Sequence, residues 1–515
     1  MVNEPLIRPG LNPDEALRLA REGFGVSASR AEPLPSDRDQ NFLLEEKESG
    51  RRFVLKLGHA GEDPRVLDFQ NRILEHLGRA GFSLSKVLHS TDGEELVEVP
   101  GPDHAVFRAR LLSWVPGVVF HTVHPTVPEI FRSLGTFLGG MDRVLEDFSH
   151  PVMDRELKWD LKQAGRVVRS HLEMVEDAGR RALLEEMNQR FLERLGPLLP
   201  DLRMSVIHGD ANDHNILVSE AERGGAPQDR RVVGLVDFGD AVRSYTVGEV
   251  AIAGAYAMLE RDDPFAAAVE VLAGYHRAYP LREAEVEAAL PLMGLRLCQS
   301  VAIAAHQKKR EPDNGYLTVS EAPAWALLEK LEGENLDFPH YLFRWACEME
   351  PVPGSRVVVD WLRENGHAAA PVVGADLRDA PLHVFDLSME SGELGLAPEA
   401  DDALAWTGLL FQTMETMGAE IGIGRYDEIR GWYTSDIFRP RGEDGTEWRT
   451  LHMGVDLFLE AGSPVQAPYD AVVHSVANNA NPLDYGPTVI LEHRVGEARD
   501  RSDHGGARRA QGSFR

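Results

Sequence analysis

VIHGDANDHNILV, residues 206–218, sets a dense polar run between two apolar ones. Val206-Ile207 and Ile216-Leu217-Val218 read as short buried strands. Between them, His208 to Asn215 hold two His, two Asp and two Asn. A turn needs a polar residue or two, not six. A hydrated hairpin is the plain reading; a catalytic loop is the sharper one. A second buried strand, RRVVGLVDFGD (230–240), also runs into an acidic turn, at Asp237.

Asp210, Asn215 and Asp237 together suit phosphoryl transfer. That reaction needs a carboxylate to orient the attacking hydroxyl and oxygen ligands that hold Mg²⁺ against nucleotide phosphates. Asp210 is the candidate base. Asn215 offers a neutral oxygen and Asp237 a charged one, a mix suited to a hard cation that also takes phosphate oxygens and water. His208 is read as a hydrogen-bonding brace and Gly209 as a point of tight backbone passage.

The chain of 515 residues is too long for one core, so several domains are expected. Its net charge of −29 opposes a nucleic-acid partner and an anionic membrane surface. Two cysteines, Cys298 and Cys347, give no disulfide framework, so a reducing, cytoplasmic setting is expected. The opening MVNEPLIRPGLNPDEALRLA lacks the basic-then-apolar pattern of a leader. No uncharged apolar run approaches the ~18 residues of a membrane span.

Working outward along the chain, Asn12-Pro13 open a short helix, and 41–58 read as two strands joined at Glu48-Ser49-Gly50. Residues 65–79 have helical spacing through Val66, Phe69, Ile73 and Leu77. Strands follow near 85–100 and 105–115, then helices over 127–200 and again over 247–348. The expected division is an N-lobe at 1–112, a C-lobe at 113–348, a linker at 349–375, a β-rich domain at 376–493 and a basic, unfolded tail at 494–515.

HGDANDHN followed by VDFGD resembles the catalytic loop and metal-binding segment of the aminoglycoside phosphotransferase and choline kinase family. SDRDQNF (36–42) and ELKWDL (156–161) are most similar to its hydroxylysine-kinase-like branch, over roughly residues 10–345. The resemblance implies an α+β, bilobal protein-kinase-like fold. It implies a small-molecule kinase moving the γ-phosphoryl of ATP or GTP, with Mg²⁺, to an amino alcohol or hydroxy amino acid. Lys56 in FVLKLG would pair with the nucleotide phosphates. Its helix partner, usually Glu, would be Gln70, which hydrogen-bonds but carries no charge. The nucleotide loop 34–42 has no glycine; Ser36, Asp39 and Asn41 would cap a turn facing phosphate. The backbone of Ser113 to Val115, in LLSWVPG, would meet the adenine edge, with Trp114 a packing residue. Asp160 and Glu249 could receive an acceptor ammonium, although a solvated helix residue or cap is the preferred account of both.

RTLHMGVDLF places His452 and Asp456 four apart around Gly454. This stretch, with AGSPVQAPYDAVVHSV and YGPTVILEH, resembles the HxGxD region of lysostaphin-like zinc metallopeptidases over about 425–493. On that match His452 and Asp456 would be ligands, and His493 an outer or catalytic histidine. A catalytic zinc takes three protein ligands. The family's third comes from an H-x-H pair, and none follows Asp456. The pattern stops after His493 as a shifted frame or truncated gene would make it, so no bound zinc is expected. The readings to weigh are a kinase with a degenerate β-rich appendage, a zinc peptidase or cell-wall hydrolase, and an inactive kinase-fold scaffold.

Overall fold

The computed structural model describes residues 8–36, 39–220, 226–310, 321–392, 402–431, 450–480, 485–495 and 507–513. Its Cα framework divides into two units, Met1–Pro351 and Val352–Arg515.

Unit 1 opens with α1 (Pro13–Phe24). Asn12 accepts the Glu15 N–H at 3.0 Å, Glu15 answers on the Asn12 N–H at 2.8 Å, and Pro13 sits first in the helix. Then come β1 (Arg30–Leu34), β2 (Gln40–Glu45), β3 (Arg52–Gly58), α2 (Pro64–Arg79), β4 (Val87–Leu88), β5 (Val97–Pro100) and β6 (Val106–Ser113). They form an antiparallel sheet in the order β1-β2-β3-β6-β4, with β5 also on β6. Alternation sorts its faces. Phe42, Leu44, Leu55, Leu57, Ala109 and Leu111 pack with Ala16, Ala20 and Phe24 of α1. The opposite face therefore carries Asn41, Lys56 and Arg110, which are cross-strand neighbours. That row of polar residues faces the chemistry.

The rest of unit 1 comprises β7 (Val118–Val119), α3 (Pro128–Leu145), α4 (Ala164–His171), α5 (Ala178–Leu195), β8 (Met204–Ile207), β9 (Ile216–Val218), β10 (Val232–Leu235), β11 (Val242–Tyr245), α6 (Val247–Ala257), α7 (Pro264–Ala278), α8 (Glu283–Arg310), α9 (Glu321–Glu332) and α10 (Asp337–Ala346). Two small sheets, β10-β9-β7 and β11-β8, lie among the helices. Phe69, Ile73 and Leu77 of α2 join the larger helical core, which includes Phe191, Leu292 and Val301. By length and composition α8 could cross a membrane, but 89% of its apolar window is buried within the protein. Between Ala288 and Ala305 its only charge is Arg296.

Unit 2 has α11 (Ser355–Asn365), β12 (Leu382–Phe385), α12 (Ala403–Met417), β13 (Ile421–Gly424), β14 (Glu428–Ile429), β15 (Leu451–His452), β16 (Asp456–Phe458), β17 (Val472–Asn479), β18 (Gly486–Arg494) and β19 (Ala507–Ser513). Its sheets run β12-β13-β16, β14-β15 and β17-β18-β19. Phe385, Leu387, Leu410 and Met414 make a small core.

Three expectations are corrected in this unit. A helix, α11, stands in the expected linker, where flanking Pro and Gly hide an 11-residue run that buries none of its side chains. Another, α12, interrupts the β-rich stretch; its apolar residues lie all round and leave no period to read, yet Asp402 caps its start and Gly418 its end. The expected unfolded tail instead contributes β19, which pairs with β18 from Thr488↔Ser513 to Arg494↔Ala507. An edge strand offers unpaired N–H and C=O groups to any returning chain, whatever its composition.

Candidate active site

The loop 208–215 leaves β8 and returns as β9, so both its ends are fixed by strands. His208 is fully buried. Its Nε2 donates to the Val236 carbonyl at 3.0 Å, and its Nδ1 accepts the Asp210 N–H at 3.2 Å. These two bonds fix the tautomer. Burial holds the imidazole down, at about 4, so it is neutral near pH 7 and braces the loop without adding charge. Gly209 has φ +78°, and a Cβ there would lie 2.9 Å from the Asp240 carbonyl oxygen. Only glycine fits both conditions.

Asp210 is held on both oxygens. Oδ1 accepts from Arg296 Nη2 at 2.7 Å. Oδ2 accepts from Asn212 Nδ2 at 3.0 Å and Asn215 Nδ2 at 2.9 Å. A carboxylate has about four acceptor positions. Three are filled here, and the one that remains, on Oδ1, is where a hydroxyl can be oriented. Burial pushes the Asp210 carboxyl up towards 7, against the pull of Arg296. A base that titrates near the working pH suits proton transfer.

Asn215 also gives its Nδ2 to the Asp210 carbonyl at 2.9 Å. Both donor bonds go to Asp210, so the acceptor end, Oδ1, is what the side chain offers a cation. Asp237 sits at φ +62°, in the left-handed region that Asp tolerates better than most residues. Its Oδ1 takes the Gly239 N–H at 3.2 Å and lies 3.1 Å from Lys56 Nζ. The Lys56 ammonium holds this carboxyl far below the usual range, so it is ionised. The Asp237 side chain is 48% exposed, open to a ligand, while that of Lys56 is 9% exposed. Two hard oxygens, one charged, fit a Mg²⁺-like ion. Asn41, opposite Lys56, keeps a buried Oδ1 with no hydrogen-bond partner among the described residues. An orphaned buried acceptor beside the lysine can be met by a hydroxyl or amine donor of a bound ligand, though not by phosphate oxygens, which only accept.

Two other expected residues are differently engaged. Gln70 does not reach Lys56 in a hydrogen bond; its Oε1 accepts from Arg110 Nη2. Asn71 takes the other Arg110 nitrogen at 3.0 Å. Arg110 is opposite Lys56 on β6, so register brings it to α2 in place of the lysine. In the hinge, the Ser113 N–H donates to the Lys86 carbonyl at 2.9 Å and the Trp114 N–H to the Arg52 carbonyl at 3.1 Å. Those two N–H groups are spent within the protein. Val115 is buried and packs beside Gly234. Trp114 packs under the Arg52 guanidinium, 4.7 Å from its ring centre.

Of the two candidate ammonium acceptors, Asp160 is a cap. Its Oδ1 takes the Lys162 N–H at 3.1 Å and the Ser244 hydroxyl at 2.6 Å. Glu249 is neither solvated nor a cap. It is fully buried, and its Oε2 takes the Gly209 N–H at 3.1 Å. The sequence reading missed Arg296 and Arg155 altogether. Arg155 holds the Ala241 carbonyl with Nε at 3.1 Å and Nη2 at 2.9 Å, steadying the turn after Asp237. A lone charge in an apolar helix was the available signal for Arg296, because a buried charge must be paired.

In unit 2, His452 Nε2 and Asp456 Oδ2 come within 3.4 Å. Arg430 Nη1 lies 2.8 Å from the same Asp456 oxygen, and Arg430 Nε donates to Glu428 at 3.0 Å. A guanidinium thus lies where a cation would share Asp456. His493 stands on β18, where its Nδ1 donates to the Asp470 carbonyl at 3.1 Å. Among the described residues, no group of three metal-binding side chains includes His452, Asp456 or His493.

The profile of the phosphotransferase enzyme family matches residues 30–286. The hydroxylysine kinase of Bos taurus is 30% identical over 346 residues, 64% of this chain and 91% of that protein. The chain belongs to the phosphotransferase enzyme family. It is a small-molecule kinase, a phosphotransferase whose acceptor is a hydroxyl group. The hydroxylysine kinase of Mus musculus is 28% identical over 341 residues, 63% of this chain and 90% of that protein. Among solved structures, the microcompartment-associated aminopropanol kinase aligns with a TM-score of 0.49 at 20% identity, over 62% of this kinase and 96% of its own chain.

Proposed function

We propose that the kinase transfers the γ-phosphoryl of ATP or GTP to the hydroxyl of an amino alcohol or hydroxy amino acid, with hydroxylysine the first acceptor to test. The observation that carries this is the Asp210 carboxylate, pinned by Arg296, Asn212 and Asn215 with one acceptor position left over. That position holds the acceptor hydroxyl and receives its proton. Asn215 and Asp237 would hold Mg²⁺, which when bound neutralises phosphate charge. Lys56, 3.1 Å from Asp237, would turn to phosphate when nucleotide binds, which would leave the Asp237 carboxylate to the ion. Identity to relatives named hydroxylysine kinase, along 90% or more of their length, supports the acceptor class. A cytoplasmic setting belongs to the same proposal. Cys298 and Cys347 are buried free thiols, and burial pushes Cys347 up to about 12.

The His452–Asp456 pair of unit 2, with Arg430 against it, supports descent from a lysostaphin-like peptidase that no longer holds zinc. Phosphorus NMR of the kinase with Mg²⁺, ATP or GTP, and a panel of amino alcohols and hydroxy amino acids tests the first reading. A phosphate ester should appear with one acceptor class and vanish in Asp210→Asn. Nucleotide hydrolysis alone across the panel would refute the acceptor class.

A further inference from the structure

His121, Asp213 and His214 converge on one side of the catalytic loop. His121 belongs to the turn Phe120–Thr122, which follows β7. Asp213 and His214 lie three and four residues past Asp210. Their backbones are tied: the His121 N–H donates to the Asp213 carbonyl at 3.0 Å, and β7 pairs with β9 at Val118↔Val218 and Val119↔Leu217. The His214 N–H donates to Asn212 Oδ1 at 2.9 Å. Placement of the three side chains therefore does not depend on the side chains holding one another.

The donor atoms are already close. His121 Nδ1 is 2.9 Å from Asp213 Oδ2, and His214 Nε2 is 4.0 Å from Asp213 Oδ1. One donor atom from each of the three residues lies within 4.8 Å of the others. The imidazole rings stack with centroids 4.3 Å apart. Ligands at ~2.0–2.2 Å from a tetrahedral metal sit roughly 3.3–3.6 Å from one another. A metal lies in the plane of each imidazole it binds, so the two rings must also unstack by side-chain rotation to share the ion, and their exposure leaves room for that. The side chains are 50%, 36% and 33% exposed, so an ion can enter from solvent.

We propose that His121, Asp213 and His214 bind a borderline divalent transition-metal ion of the Zn²⁺, Co²⁺ or Ni²⁺ class. Two imidazoles and one carboxylate select such ions over Mg²⁺, which prefers oxygen alone. The site shares no ligand with Asn215 or Asp237, and the proposal stands whether or not the acceptor assignment is right. Three protein ligands leave a fourth position open. The ion clips together segments 92 residues apart, one of them the loop that carries Asp210. An ion that binds only the folded chain stabilises it by mass action.

The test is Co²⁺ titration of the full, metal-stripped chain, read by visible absorption and by unfolding temperature. One equivalent should give the intense bands of a four-coordinate ion, be displaced by Zn²⁺ but not by Mg²⁺, and raise the unfolding temperature. Loss of an outer-sphere partner alone weakens a metal site ~10–100-fold, so loss of a ligand should cost at least about tenfold. His121→Ala and His214→Ala should each do so, whereas His452→Ala should leave the titration unchanged. An absence of stoichiometric Co²⁺ binding would overturn the proposal. So would binding that both loop variants retain, or that His452→Ala abolishes.

Discussion

Glu249→Gln isolates the acid buried under the catalytic loop. Glu249 is fully buried, with Oε2 on the Gly209 N–H and Oε1 without a hydrogen-bond partner among the described residues. Burial raises its carboxyl from 4.5 to about 7. The folded state therefore holds the proton over a range where the unfolded state has lost it. Below pH 4.5 both states are protonated and the contribution is constant. Between 4.5 and 7 stability must fall as pH rises, because the folded chain binds more protons than the unfolded one. At about 1.36 kcal/mol per pH unit, the gap from 4.5 to about 7 is worth about 3 kcal/mol.

Glutamine keeps the acceptor for Gly209 and cannot ionise. The variant should match the wild type near pH 4.5 and exceed it by up to about 3 kcal/mol above pH 7. Asp142, raised by burial first and by the Glu249 charge second, relaxes in the same direction. The assay is urea unfolding at several pH values, followed on the transition that nucleotide shifts, since that transition reports unit 1. Parallel stability curves for wild type and variant from pH 5 to 8 would refute a dry, proton-holding Glu249.

Arg296→Met keeps the bulk of a long, unbranched side chain but strands Asp210. Removing one partner of a buried pair costs about 3–5 kcal/mol, so denaturant unfolding should show a loss of that order while Arg296→Lys loses less; equal stability would mean the 2.7 Å contact is incidental. Gln70→Glu should leave nucleotide affinity within about twofold, because the new charge meets Arg110 and not Lys56, and a tenfold gain, worth about 1.4 kcal/mol, would restore the lysine pairing. Asp237→Ala should make nucleotide binding, followed by calorimetry, insensitive to Mg²⁺, and a titration that overlays the wild type would reduce Asp237 to a turn residue.

What the sequence made legible was local. Asp210, Asn215 and Asp237 stood out because polar density in a short gap between apolar strands has few structural causes. Lys56 and Asn41 came from the family resemblance, one as the phosphate-pairing lysine and the other as a turn cap; that they are cross-strand neighbours emerged only with the fold. Long-range register was not legible. Nothing near Gln70 announces that Arg110, forty positions on, will take its amide oxygen. The helix α12 was lost for the opposite reason: an apolar run without a period fits strand and helix alike.

Arg296, which the sequence reading missed, and Glu249, which it took for a solvated or capping residue, share one physical meaning. Each is a single charge in an otherwise uncharged helical stretch, VGEVAIAGAYA in α6 and Ala288–Ala305 in α8. Composition scores such stretches as core, and most of their residues are core. Yet a buried charge is tolerated only where it is paired or hydrogen-bonded, so each lone charge must point at something polar that the fold also buries. Here both point at the same loop. Glu249 takes the Gly209 N–H and Arg296 takes the Asp210 oxygen, on consecutive residues. The strands fix the ends of the loop, and these two side chains fix its middle from below. The carboxylate is thereby aimed before substrate arrives, which is the condition for a base to orient a hydroxyl without reorganising during the reaction.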